Sequence, residues 1–314
     1  MLYLKTKLAF WKLFACAQLL AFFLSLSIYS EAQDTVSIYP GKIPNSRHVQ
    51  AARPVRPAAA GMVYAVTHPM LEVFLPEKST AGGSAVIICP GGSYKVLTYE
   101  AEGVRTAKAF AKNGIAAFVL QYRLPDDSLM IDKKIGPLQD AQQAIKFVRE
   151  HALQWGLDVK KVGIMGFSAG GHLAATAATH FQQTYIENEG HTDLRPAFVI
   201  LVYPVISMQE GLTHADSRRN LLGAMPLKET VDYFSNELQV NANTPPAYIT
   251  HAGDDKLVDV DNSIQFYESL RHANVPAELH VFPKGGHGFV LRERPEEWMQ
   301  PIFKWMTTNG LLGH

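Results

Sequence analysis

Ser168 stands in "GFSAGGH", with Gly166 two residues before it and Gly170 and Gly171 following. A serine hydroxyl is a weak nucleophile at neutral pH, so a chain that uses one must supply a base, and a third group to orient that base. The G-x-S-x-G spacing falls at a seam between the apolar run Val162–Met165 and an Ala-rich helical stretch from Ala169. A serine at such a strand-to-helix bend takes strained backbone angles and projects its hydroxyl beyond the sheet, while the glycines let neighbouring backbone pass close by. The base must come from twelve histidines. His287, in "KGGHGF", sits on a loop after the late apolar run Leu279–Phe282, and Gly286 and Gly288 give its ring room to reach the serine. His172 lies on the helix after the bend and is expected to pack there. His180, His251 and His280 read as structural or strand-end residues.

The orienting acid has two candidates. "HAGDDKLV" places Asp254 and Asp255 on the loop that follows the run Tyr248–His251, and spacing does not separate adjacent carboxylates. One further Gly-rich turn, "CPGGSY", follows the early run Ala85–Cys89.

These residues need a scaffold, and the hydrophobic pattern describes one. Strand-like runs occur at Leu71–Leu75, Ala85–Cys89, Ala116–Leu120, Val162–Met165, Phe198–Tyr203, Tyr248–His251 and Leu279–Phe282. Helical periodicity fills most gaps, over Glu102–Asn113, Leu138–Trp155, Ala169–Thr179, Ser263–Ala273 and Trp298–Thr308. Near-continuous apolar strands alternating with helices predict an α/β fold, a mostly parallel sheet with helices on both faces. Residues 62–314 are expected to form one catalytic domain, after a Pro-, Ala- and Arg-rich lead-in over 33–61. Ser207–Asn243 interrupts the alternation and reads as a small helical, lid-like insertion over one end of the sheet. It carries His214, Asp216, Arg218, Arg219 and Tyr233, a polar set expected to shape substrate choice.

These motifs resemble the α/β-hydrolases. "HAGDDKLV" is similar to their H-G-x-x-D-x-x-V acid loop with Ala252 in place of the usual glycine, and that alignment puts Asp255 in the acid position. The order Ser168, Asp255, His287 is the hydrolase order. "CPGGSY" resembles the H-G-G-G motif of esterases related to hormone-sensitive lipase, with Pro90 replacing the histidine and Ser93 the third glycine. The resemblance implies that the N–H groups of Gly92, Ser93 and Ala169 receive a developing oxyanion, and such donors are typically worth about 3–4 kcal/mol each. "YRLP", with Pro137 and Asp140, is similar to the same branch and implies a structural Arg123–Asp140 ion pair.

More narrowly, "LQDAQ", "GFSAGGHLA", "YPVISM", "SRRNLLG", "FSNE", "TPPAYITHAGDD" and "GGHGF" resemble secreted bacterial carbohydrate-esterase-like hydrolases, whose members carry the names acetylxylan esterase, feruloyl esterase and even xylanase. A glycosidase needs two carboxylates facing a glycosidic bond, and nothing in the sequence singles out such a pair. The resemblance implies hydrolysis of acyl esters on plant polysaccharide or oligosaccharide, with no metal and no organic cofactor. Tyr94, Tyr99 and Trp298 are the aromatics expected at a sugar, with His214 beside them.

A formal charge of zero lacks the basic surplus of a nucleic-acid binder. Lys5, Lys7 and Lys12 precede the apolar run Leu13–Ile28, which falls short of the roughly 20 residues a membrane-spanning helix needs. Ser30 and Ala32 satisfy the small-residue rule for cleavage after Ala32, so residues 1–32 read as a signal peptide. A lipoprotein reading through Cys16 is opposed by the bulky Phe14 and by Lys12. Cleavage would leave 26 basic and 28 acidic residues, a net charge of −2, and Cys89 as the sole cysteine. The mature protein, secreted or periplasmic, is then expected to have no internal disulfide and no membrane partner.

Two other readings stand beside the esterase. A prolyl-oligopeptidase-type peptidase shares the residue order but would usually bring an extra N-terminal domain, for which 33–61 is too short. A non-catalytic binding protein on the same scaffold would commonly lack a member of the Ser-Asp-His set.

Overall fold

Uninterrupted aliphatic runs form strands that must be covered on both faces, and the chain supplies several. The computed structural model describes residues 35–47, 61–77 and 82–312. The proposed signal peptide and much of the lead-in lie outside them. Eight strands form one sheet in the order β1-β2-β4-β3-β5-β6-β7-β8. They are β1 (Thr35–Ser37), β2 (Met70–Phe74), β3 (Gly83–Cys89), β4 (Ala116–Gln121), β5 (Leu157–Phe167), β6 (Val199–Val202), β7 (Ala247–Ala252) and β8 (Ala277–Phe282). β1 and β2 pair antiparallel, β2 and β4 likewise, and every pairing from β4 to β8 is parallel.

The helices that cover the faces are α1 (Arg105–Lys112), α2 (Gly136–Glu150), α3 (Ser168–Thr179), α6 (Asp261–His272) and α7 (Gln300–Thr308), with α4 (Ala215–Leu222) and α5 (Lys228–Tyr233) in the insertion. Helix α3 is buried at every position. Its small residues, "SAGG" and "AATAAT", let it approach the sheet closely. The last predicted helix is interrupted at Met299: a single turn, Pro295–Trp298, precedes α7, whose first turn Pro301 favours.

Within the lead-in, the described residues 35–47 pack against the body. Thr35–Ser37 adds an edge strand with Thr35 opposite Glu72. Ile38 is fully buried, and its carbonyl accepts from Gln143 Nε2 at 2.7 Å. The Arg123–Asp140 pair lies beneath this segment, buried, with Nη2 and Oδ1 2.7 Å apart. Arg123 Nη1 also donates to the Pro44 carbonyl at 2.8 Å, which ties the segment to the body.

Ser207–Asn243 carries α4 and α5 and is hydrogen-bonded to the body. Asn262 Oδ1 accepts from the N–H groups of Ile206 and Ser207 at 2.9 and 3.0 Å. Behind it, His172 Nε2 donates to the Phe234 carbonyl at 2.8 Å and His180 Nε2 to that of Tyr233 at 2.9 Å. Buried polar groups satisfied on both sides strengthen a contact, and these bonds tie the segment to α3 and α6.

The parallel strands β3, β5, β7 and β8 end at Cys89, Phe167, Ala252 and Phe282, and their registers align Cys89 with Gly166 and Ala252 with Phe282. The loops that follow carry the Gly-rich turn, the serine, the two aspartates and the histidine, all on one edge of the sheet. Crevices outside the carboxyl ends of parallel strands are where such sheets bind ligands.

Candidate active site

Ser168 occupies the bend with φ of +52°, in the left-handed region that side chains rarely adopt. The bend exists because two glycines permit it. A Cβ on Gly166 would lie 2.0 Å from the Gly170 carbonyl oxygen, and one on Gly170 would lie 2.1 Å from that of Cys89. Backbone occupies the space a side chain would need, so β5, α3 and the end of β3 converge on the serine.

His287 Nε2 lies 2.9 Å from Ser168 Oγ, and His287 Nδ1 lies 2.7 Å from Asp255 Oδ2. Because a carboxylate only accepts, Nδ1 carries the proton toward Asp255 and leaves Nε2 to accept from the serine hydroxyl. The order of contact is that of a nucleophile, base and orienter.

Asp255 is held from four directions. Oδ1 accepts from the N–H groups of Leu257 and Val258 at 2.9 and 3.0 Å. Oδ2 takes His287 and, at 3.2 Å, Nε2 of the fully buried His251. That Nε2 also lies 3.0 Å from the Val258 carbonyl, so it is the donor, and Nδ1 faces Ser263 Oγ at 2.7 Å. Burial alone would raise the Asp255 pKa, but the bonds from His251 and His287 outweigh it and hold the carboxyl well below its usual range. Asp254 stands elsewhere: its Oδ1 accepts from the Gly286 N–H at 2.7 Å and braces the histidine loop.

The Gly-rich turn faces the serine. Gly92 and Ser93 have φ of +126° and +56°, and among the described residues no protein acceptor takes their N–H groups. The N–H of Ala169 lies in the first turn of α3, where helix amides have no intrahelical partner. Gly91 differs, since its N–H donates to Glu102 Oε2 at 2.6 Å.

The aromatic expectations are corrected. Tyr94, Tyr99 and Trp298 are 2%, 3% and 4% exposed, so none offers an open ring face to a sugar. Tyr94 gives its hydroxyl to His172 Nδ1 at 2.8 Å, Tyr99 gives its own to Glu72 Oε2 at 2.5 Å, and Trp298 packs edge-on to Phe167. Their apolar bodies serve the core, where most large aromatic area is buried. His214 is also buried, at the start of α4, with Nδ1 2.8 Å from Ser217 Oγ. Burial lowers its pKa, against the raising effect of Asp216. Arg219 pairs with Asp216 on the surface, and Tyr233 faces Tyr185 and Gln183.

Glu102, Tyr203 and Asn220 are not singled out by the sequence, and His251 reads there as a structural or strand-end residue. Only His251 had a sequence signal, its place four residues before Asp255. Asn220 Nδ2 donates to the Ser93 carbonyl at 2.8 Å. Asn220 and Arg219 also border a cavity of about 410 Å³ that reaches the Gly-rich turn through Tyr94 and Lys95 and is lined as well by Tyr64, Leu124 and Pro125. Tyr64 is 52% exposed there. Among the described residues no group of three His, Cys, Asp or Glu side chains is gathered to hold a metal, and no helix is long and apolar enough to cross a membrane.

A family model described as BD-FAE matches residues 71–270. The chain belongs to the BD-FAE family. This BD-FAE member is 41% identical over 208 residues to an endo-1,4-beta-xylanase B of Butyrivibrio fibrisolvens, covering 66% of this chain and 32% of the relative. It is 40% identical over 220 residues to an acetylxylan esterase of Xylanibacter ruminicola, covering 69% of this chain and 42% of that one. The chain thus spans about a third to two fifths of the length of these relatives. The crystal structure of an acetyl ester-xyloside bifunctional hydrolase from Caldicellulosiruptor lactoaceticus matches it with a TM-score of 0.74 at 32% identity, covering 90% of this chain and 98% of that one. A thermophilic esterase from Thermogutta terrifontis matches at TM-score 0.66 and 25% identity, over 78% of this chain and 89% of its own. The BD-FAE member has the α/β-hydrolase fold.

Proposed function

We propose that this protein is an exported serine carboxylic ester hydrolase that removes short acyl groups from plant polysaccharide or its oligosaccharides, acetyl first and feruloyl second. The observation that carries the reading is the hydrogen-bonded run from Ser168 Oγ through His287 to Asp255, facing the unengaged N–H groups of Gly92 and Ser93.

In the proposed reaction Ser168 Oγ attacks the ester carbonyl as His287 Nε2 takes its proton. The carbonyl electron pair moves onto oxygen, where the N–H groups of Gly92, Ser93 and Ala169 receive it. Asp255 keeps the imidazole in the required tautomer and balances its charge. Collapse expels the sugar alkoxide with the proton from Nε2. Water, deprotonated by His287, then attacks the acyl-serine and releases the acid.

The carbohydrate part rests on the relatives and on the cavity beside the Gly-rich turn. Its wall of Lys95, Arg219, Asn220 and the exposed Tyr64 suits a hydroxylated alcohol better than a lipid tail. The name of the C. lactoaceticus neighbour adds xyloside hydrolysis. Here the Asp255 carboxylate is committed to two histidines, and the expected activity on a p-nitrophenyl xyloside is nil.

The test is release of acetate and ferulate from acetylated xylo-oligosaccharides and feruloylated arabinoxylan, against a long-chain acyl ester and a prolyl-nitroanilide. Ser168→Ala should lower kcat by on the order of 10⁶ and abolish fluorophosphonate labelling. At least tenfold preference for the long-chain ester would replace the carbohydrate reading with a lipase-like esterase, and cleavage of the anilide alone would make it a peptidase. Export is read out separately, by N-terminal sequencing of the secreted protein for a start at Gln33.

A further inference from the structure

Glu102 is a carboxylate at 4% exposure, and among the described residues it belongs to no ion pair with lysine or arginine. A buried carboxyl without a cation is costly unless hydrogen bonds compensate, so its two bonds are informative. Oε2 accepts from the Gly91 N–H at 2.6 Å, one residue before the first oxyanion donor. Oε1 accepts from the Tyr203 hydroxyl at 2.9 Å. The Tyr203 ring lies 4.8 Å from the His287 ring. One carboxylate therefore touches the back of the oxyanion loop and, through a single aromatic ring, the back of the base.

The chain goes to some length to build this contact. Glu102 sits in a wide π-helical turn, Tyr99–Val104, before α1, and such turns are uncommon and concentrate at functional positions. Tyr203 has φ of +36°, unusual for a bulky residue. Position 91 admits only glycine, since a Cβ there would lie 2.9 Å from Glu102 Oε2 and 3.0 Å from Ser168 Cβ. Tyr122 completes the support, donating to the Pro90 carbonyl at 2.7 Å.

We propose that Glu102 is a positioning residue whose buried carboxylate clamps the Gly91–Ser93 loop and the Tyr203 ring into one register and favours the imidazolium that His287 becomes when Ser168 attacks. The inference rests on the esterase reading above. Charge-assisted hydrogen bonds are about twice as strong as neutral ones, which gives a carboxylate an advantage over an amide of the same shape. The titratable groups around it are Tyr203 at the end of β6, Tyr122 after β4 and His287 after β8. Burial raises the Glu102 pKa to about 7, against the lowering effect of the Gly91 and Tyr203 bonds and of His287. The cost of the carboxylate to stability therefore sets in as pH rises past the ordinary value of 4.5 and is complete above about pH 7.

A role in packing alone and a role in catalysis give opposite signatures. Glu102→Gln keeps the shape and can keep both contacts, the Tyr203 hydroxyl turning to accept, but it removes the charge. With p-nitrophenyl acetate at pH 8, kcat should fall roughly tenfold, about 1.4 kcal/mol of barrier, with KM within about twofold. The melting temperature should stay level or rise, because a desolvated charge has gone. Tyr203→Phe should also lower kcat, and the double variant should be little worse than Glu102→Gln, since both cut one connection. Glu102→Gln with wild-type kcat over pH 6–9, or a loss of activity that tracks a loss of folded protein, overturns the proposal. Ester turnover that survives Ser168→Ala, or its absence in the wild type, overturns the esterase reading and this inference with it.

Discussion

Asn220 Nδ2 donates to the Ser93 carbonyl at 2.8 Å, so helix α4 of the insertion holds the far side of the peptide group whose neighbouring N–H groups face Ser168. The insertion is thereby attached to the proposed oxyanion loop, which its charged surface did not suggest. Asn220→Ala should lower kcat/KM for small and large esters alike, by roughly tenfold. Loss of one side-chain bond should shift the melting temperature by only about 2–4 °C. A variant whose kcat/KM stays within twofold of wild type would mean the turn keeps its shape unaided.

Asp254 and Asp255 are neighbours in sequence with different tasks. Asp255→Asn removes the charge that orients His287 and should reduce kcat by roughly 10⁴. Asp254→Asn keeps an oxygen for the Gly286 N–H and should stay within about threefold of wild type. Parallel kcat measurements decide it, and the opposite ranking would reassign the acid.

Gly170→Ala tests the bend. The added methyl would meet the Cys89 carbonyl oxygen at 2.1 Å and that of Pro90 at 2.4 Å, and backbone cannot swing aside as a side chain can. Destabilisation of roughly 3 kcal/mol or more is expected, read by chemical denaturation. A variant of unchanged midpoint would show that β3 and α3 separate easily.

His172 gives a pH dependence with a definite sign. Burial lowers its pKa to about 4, the Phe234 carbonyl opposing, while an unfolded histidine titrates near 6.5. As pH falls, the unfolded chain takes up this proton first, so the stability involved is intact above about pH 6.5 and lost toward about pH 4. The difference is roughly 3 kcal/mol. Unfolding free energies at pH 7.5 and 4.5 should therefore diverge less in His172→Gln than in the wild type, and equal losses in both would assign the acid lability to other groups.

Much of this protein could be read from its residues in order. Apolar runs separated by helical periodicity determined a parallel sheet, because strands buried on both faces have no room for polar alternation. Gly166 and Gly170 around Ser168 determined the bend, since only glycine leaves space for crossing backbone. Loops after β5, β7 and β8 placed Ser168, the Asp254–Asp255 pair and His287 in that order, and the resemblance to the α/β-hydrolase acid loop chose Asp255.

Tertiary structure alone decided the rest. Glu102 lies 66 positions before Ser168 and reads as one acidic residue at a helix start, until the fold buries it beneath Gly91. Asn220 reads as a surface amide until α4 turns it onto Ser93. Tyr94, Tyr99 and Trp298 looked available because aromatic residues can stack on a ligand or fill a core, and composition does not say which. Long-range packing chose the core for all three, and the same packing determined which acceptor each buried polar group would find.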